Sequence, residues 1–171
     1  MKTRSTFPLL VILILATVIA TTSTSAAIVP QHGPSASGSG LFRFRNPQTE
    51  RINVWSFSFE AIANKNGQTR GRAQFDNLTA GTQVVVRINC LSVSSALNTD
   101  FASMGGTVLH SNDPDLPKRQ DVIFAATDGT VLLGTDTITP VFPLEFAGHD
   151  CHDTQPLTIL PVEDGDIEIQ P

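Results

Sequence analysis

An apolar–polar alternation of period two recurs along the chain from about residue 41, and it restricts the fold more than any other feature. Phe42 and Phe44 alternate with Leu41, Arg43 and Arg45. Trp55, Phe57, Phe59 and Ala61 alternate with Ser56, Ser58, Glu60 and Ile62. Ala73 and Phe75 oppose Arg72 and Gln74; Val84, Val86 and Ile88 oppose Val85, Arg87 and Asn89; Val122, Phe124 and Ala126 oppose Ile123 and Ala125. Successive side chains of a strand point to opposite faces, so each run offers one face to a core and the other to water. Helical periodicity is nearly absent. The expected class is all-β and antiparallel.

Turn chemistry separates the runs. Asn66-Gly67 suits a tight hairpin, because both residues tolerate positive φ. Ala80-Gly81 and Asp128-Gly129 mark two more reversals, and Asp164-Gly165, between LTILPV and DIEIQ, is expected to form a final hairpin. NDPDLPK at 112–118 holds two prolines and reads as a loop; TPVFPLEFAGHD at 139–150 reads as an edge strand or an irregular crossing. One phase conflict stands out. Val84, Val86, Ile88 and Cys90 share a face, yet Leu91 and Val93 are equally apolar. A bulge near Cys90–Leu91 resolves it, with Gly105-Gly106 at a matching irregularity on the next strand. The count is eight or nine strands, which suits an antiparallel β-barrel or a two-sheet sandwich. Consecutive hairpins favour the barrel.

The chain begins MKTR and runs without charge over residues 7–20, FPLLVILILATVIA, before TTSTSAA. A basic head, a short apolar stretch and small residues predict a cleaved signal peptide, residues 1–27. A spanning helix needs about 20 apolar residues, so no membrane span is expected after cleavage. The expected location is secreted, extracellular or periplasmic. Residues 28–40, ending in the Pro/Gly/Ser-rich PQHGPSASGSG, read as a flexible leader, and 41–171 as a single β domain.

Export decides how the run AGHDCHDTQ, 147–155, is read. Cys90 and Cys151 are the two cysteines, and in an oxidising compartment they are expected to form a disulfide. It encloses about 60 residues, worth on the order of 4 kcal/mol in the chain-entropy view. The competing reading is a metal site on His149 and His152 with Cys151. It lacks the distant second ligand pair of structural zinc spacings. A Cys/His nucleophile is weaker still, since a bridged sulfur cannot attack.

Charge is uneven. Residues 28–90 hold seven basic and three acidic side chains; residues 91–171 hold two basic and thirteen acidic. Arg43, Arg45, Arg70 and Arg72 take the polar face of their strands and are candidate anion-binding residues, because guanidinium grips carboxylate or phosphate with two hydrogen bonds. The plainer reading is a wet sheet face with weak ion pairs to Glu60 or Asp76. Nucleic acid is not expected as a partner: the chain is net acidic and its polar face lacks an aromatic platform. Asp113/Asp115 and Glu163/Asp164/Asp166 match no calcium loop and read as turn formers. Gly-x-Ser-x-Gly, HExxH and P-loop motifs are absent, and nothing calls for a cofactor. His110 with Asp113 or Asp115 is a conceivable acid–base pair, and equally a surface histidine. Asn77-Leu78-Thr79 fits a glycosylation sequon.

The stretch WSFSFEAIANKNGQTRGRAQFDNLTAGTQVVVRINCLSV resembles a class of uncharacterised secreted bacterial β-domains. In that class an aromatic strand, an Asn/Asp-Gly hairpin, a Gly-x-x-x-Phe strand and a Val-x-Cys-Leu-x-Val strand follow in order. VIFAATDG resembles a strand that ends there in Asp-Asn-Gly, with the Asn missing here, and LPVEDGDIEIQ resembles their closing hairpin. The resemblance covers roughly 38–130 and 157–170. It implies an extracellular β module and carries no catalytic or binding residues. The expected function is therefore a secreted, non-catalytic binding, adhesion or structural module. One alternative is a barrel carrier whose phenylalanines and Trp55 hold a small apolar ligand. Another is a secreted hydrolase using His149 and His152.

Overall fold

Inward-facing aromatic rows need a closed wall around them, and the chain supplies one. The computed structural model describes residues 33–46, 50–96, 99–129, 134–147, 151–152 and 159–171. The expected signal peptide, residues 28–32 of the expected leader and His149 lie outside these residues. The strands are β1 (Ser35–Arg45), β2 (Ile52–Ala63), β3 (Thr69–Asn77), β4 (Thr82–Ala96), β5 (Thr99–Ser111), β6 (Asp121–Asp128), β7 (Thr137–Ile138) and β8 (Phe142–Pro143); a single helical turn, α1 (Leu144–Ala147), precedes β9 (Leu160–Gln170). β1 to β6 form an antiparallel meander. β6 pairs with β7, β7 with β9, and β9 with β1, which closes an eight-stranded barrel; β8 is an extra strand on β6. The barrel is thus the fold, and closure removes the exposed edges a sandwich would keep.

An eight-stranded barrel is just wide enough for side chains to fill. Here phenylalanines fill it. Phe42, Phe57, Phe59, Phe75 and Phe124 face inward and are at most 5% exposed. Their rings run in contact from Phe42 to Phe57 to Phe59 to Phe124 to Phe75, with centroids 5.1–6.1 Å apart. Met104, Val84, Val86, Ile88 and Ile138 pack around them. The inward rows are the ones the alternation predicts.

Two expectations need correction. Ser35–Gly40 is not a leader; it is the first half of β1, paired on both sides. Its inward row is Ala36, Gly38 and Gly40. A Cβ on Gly38 would stand 2.8 Å from Ile167 Cγ1 and 3.1 Å from the Phe59 ring. The residues are small because Phe59 and Ile167 already occupy that space, and small residues alternating with serine look like linker by composition. Asp164-Gly165 does not end a hairpin either. Leu160–Gln170 is one strand, and its register against β1 shifts between Leu41 and Phe42. Gly165 has φ 143° and faces Gly40 in register, and the extra residue is Glu163, between Val162 and Asp164, so the dipeptide adjoins a bulge in a continuous strand.

The bulge at Cys90 is where the phase conflict requires it. Register shifts between Ile88 and Cys90, with Gly106 opposite Ile88 and Gly105 opposite Cys90. Leu91 then points inward and Cys90 outward, half-buried. TPVFP behaves as an interrupted strand beside β6. Thr139 N–H donates to Ala125 O, and Ala125 N–H donates to the Thr139 hydroxyl oxygen at 2.9 Å. That side chain takes a place in the ladder just before Pro140, which has no N–H to give.

Candidate functional site

Where the inward rows run out at one end of the barrel, their last members line a mouth. Val162, Phe42, Trp55 and Asn77 sit side by side across four strands, and Phe44 pairs with Asn53 one step further out. Phe44 is half-buried there, packed against the edge of the core. The result is a cleft of about 680 Å³. Phe44, Trp55 and Phe142 give it aromatic walls, Pro140 and Pro143 one side, and Phe42, Val84 and Leu116 a floor. Asn46, Asn53, Asp113 and Asp115 supply polar edges.

Trp55 is the unusual member. Its ring stacks on Phe42 at 6.2 Å with planes 7° apart. Its Nε1–H is buried and has no hydrogen-bond partner; it is the one such side-chain atom among the described residues. A buried donor left unmade costs about 1–3 kcal/mol; the ring lines the cleft while this nitrogen is closed to solvent. The other polar groups there have structural work. Asn77 Oδ1 accepts from the N–H groups of Thr79 and Ala80 at 3.1 and 3.0 Å. Asp113 Oδ1 accepts from Asp115 N–H at 2.9 Å, and its Oδ2 from the Thr82 hydroxyl at 3.3 Å. These are the turn roles expected of Asp113 and Asp115, but the same turn brings both carboxylates to the cleft. Asn77, the sequon residue, is 6% exposed in the cleft wall.

The four candidate arginines do not form one patch. Arg43 and Arg45 lie level with Val54 and Ile52, at the mouth end of β2; Arg72 and Arg70 lie level with Glu60 and Ile62, at the other end. Six residue steps of strand separate Val54 from Glu60, about 20 Å. Arg43 pairs with Glu163 at 3.4 Å and Arg45 with Glu50 at 3.5 Å, both exposed, so neither pair adds much stability. Arg72 stands between Glu60 and Arg87. Arg70 edges a second hollow of about 630 Å³ beside the Asn64–Gln68 turn.

Cys90 and Cys151 are joined, with Cα atoms 6.1 Å apart. The bridge lies over Gly105, where an added Cβ would stand 3.4 and 3.5 Å from the two cysteine Cβ atoms. It ties the segment after α1 to the outside of the barrel. His152 Nε2 is 3.7 Å from Cys90 Sγ. The three donor atoms of Cys90, Cys151 and His152 lie within 4.8 Å of one another. Metals take cysteine as thiolate, and a bridged pair presents none. His149, the other low-ranked ligand, is outside the described residues. His110 is exposed near the end of β5, level with Val85, and is not part of the cleft.

The sequence left Trp55 open between plain core and the lining of a barrel mouth and put Asp113 and Asp115 in a turn; that all three line one cleft was not foreseen. The available signal was the position of Trp55 near the start of its row, next to the polar Asn53. Among the described residues no helix is long and apolar enough to cross a membrane. No protein-family model, no curated protein and no solved structure matches this chain, so its chemistry is read from its own residues.

Proposed function

We propose that the chain is an exported, non-catalytic binding module that holds a small ligand in the mouth of its barrel. The observation that carries this reading is the cleft of about 680 Å³ at the barrel mouth, lined by Phe44, Trp55 and Phe142 with Asn53, Asp113 and Asp115 at its edges. Binding sites are typically concave, mostly apolar and provided with a few placed polar groups. Export is supported by the MKTR head and apolar run, and the Cys90–Cys151 bridge is compatible with an oxidising destination. A carrier with its ligand deep inside is disfavoured, because phenylalanines occupy the lumen. A hydrolase on His152 is disfavoured because the sulfur 3.7 Å from its Nε2, that of Cys90, is bridged and cannot attack.

Trp55 is the single tryptophan, so its emission reports on the cleft alone. Titration with maltotriose, cellotriose, chitotriose, myristate and tetramethylammonium should give a saturable change with at least one, and Phe44→Ala should weaken it. A flat response to all five would contradict the reading.

A further inference from the structure

On the outer wall of the barrel, apart from the mouth cleft, three metal-binding side chains converge. The donor atoms of Cys90, Cys151 and His152 lie within 4.8 Å of one another, and His152 Nε2 is 3.7 Å from Cys90 Sγ. We propose that the Cys90–Cys151 bridge masks a zinc site. Reduction of the bridge turns a disulfide staple into a zinc staple held by the same two sulfurs and His152. The geometry needs little change. Zinc holds thiolate sulfur at about 2.3 Å and imidazole nitrogen at about 2.0–2.1 Å, so at the tetrahedral angle the two stand about 3.6 Å apart. The 3.7 Å from Cys90 Sγ to His152 Nε2 is already that separation. Two thiolates on one zinc stand about 3.8 Å apart. With the Cα atoms 6.1 Å apart, side-chain rotation supplies that distance once the sulfur–sulfur bond is open. Gly105, opposite Cys90, brings no side chain into this corner.

Charge selects the ion. Cys151 is 1% exposed and Cys90 half-buried, while His152 is exposed. Two thiolates and a neutral imidazole cancel the charge of Zn²⁺, so the half-buried site needs no counter-ion. Copper(I), which also favours thiolate, would leave a net negative charge there, and burial penalises it. The exposed His152 side gives the ion a route from solvent and leaves a fourth position for water, as three-ligand zinc sites do. The redox step is an exchange with a dithiol. Its two sulfurs join, the Cys90–Cys151 bond breaks, and the two protons it gives up pass to the cysteine sulfurs. Zn²⁺ then displaces both thiol protons. Thiols persist in reducing compartments and pair in oxidising ones, so each staple has its own surroundings. Either one holds the segment after α1 against β4.

Calorimetry tests the assignment on the exported chain, reduced with dithiothreitol, gel-filtered without air and titrated with Zn²⁺ alone. The reduced chain should bind one Zn²⁺ per chain, and the oxidised chain should not saturate. His152→Ala should weaken binding about tenfold or more, at least the cost of losing an outer partner of a zinc ligand. His110→Ala, outside the cluster, should leave binding unchanged. Co²⁺ in place of Zn²⁺ should give a thiolate-to-metal absorption band with the reduced chain only, a readout that needs no variant. Unfolded cysteine chains also bind metal, so melting is followed alongside. Zn²⁺ should raise the Tm of the reduced chain and leave that of the oxidised chain unchanged. Should the reduced chain lose its strand signal without metal, Zn²⁺ should restore it. A reduced chain that binds no Zn²⁺, or gains no stability from it, would overturn the proposal. So would Zn²⁺ binding as tight in His152→Ala as in the unaltered chain.

Discussion

Gly165 and Gly67 show that the same residue type does two unlike jobs here. At Gly67, φ is 76° and nothing lies within 4 Å of where a Cβ would be. Gly67→Ala should therefore cost only the strain of positive φ, about 1 kcal/mol. At Gly165, φ is 143° and a Cβ would run into the Ser39 carbonyl and the Gly40 backbone of β1. Neither neighbour can step aside without opening the barrel seam. Gly165→Ala should cost about 3 kcal/mol or more, the range of strained-backbone and overpacking changes. Urea unfolding followed by Trp55 emission ranks the two, and equal costs would contradict the seam geometry. Asp-Gly signals a turn and a bulge equally well in sequence. What decides is the partner strand on β9, and β1 lies more than a hundred positions away. Trp55 was half legible for a related reason: a tryptophan on an apolar row reads equally as core or as the lining of a mouth until the end of the barrel is known.

At the scale of elements, local patterning was legible wherever one face is wet and the other dry. The rows of β2, β3 and β4, the Cys90 bulge and the opposing Gly105-Gly106 all follow from period two and one phase slip. β1 was only half legible, because its Ala36, Gly38 and Gly40 row has no apolar bulk to announce it. β6 is buried on both faces: Val122, Phe124 and Ala126 in the lumen, Ile123 and Ala125 outside, where α1 lies against it. The prolines of TPVFP warned of irregularity but not of its repair by Thr139. That repair is testable. Thr139 is fully buried, and Thr139→Val keeps its shape while removing the oxygen that accepts from Ala125 N–H. The loss should be about 1–3 kcal/mol, the cost of an unpaired buried donor, with faster hydrogen exchange at the Ala125 amide in particular. Unchanged exchange there would contradict the side chain's place in the ladder.

For the whole molecule, closure joins what the sequence keeps apart. The basic first part and the acidic remainder meet along the β1–β9 seam, where Arg43 pairs with Glu163. The Cys90–Cys151 bridge spans 61 positions and restrains the unfolded chain by about 4 kcal/mol in the chain-entropy view. Cys90→Ser with Cys151→Ser should therefore lower Tm by roughly 10–15 °C and leave the barrel signature of circular dichroism intact. Collapse of the strand signal at 25 °C would show that the barrel depends on the bridge for its fold.

The central claim is that the cleft beside Trp55 in the barrel mouth binds a small ligand. With one tryptophan in the chain, a nitrogen–proton correlation spectrum holds one indole signal, that of Nε1–H. On titration with whichever of the five probes binds best, this signal should shift and saturate at one ligand per chain, because the ligand settles against the ring that lines the cleft. An indole signal that stays in place throughout all five titrations would contradict the account.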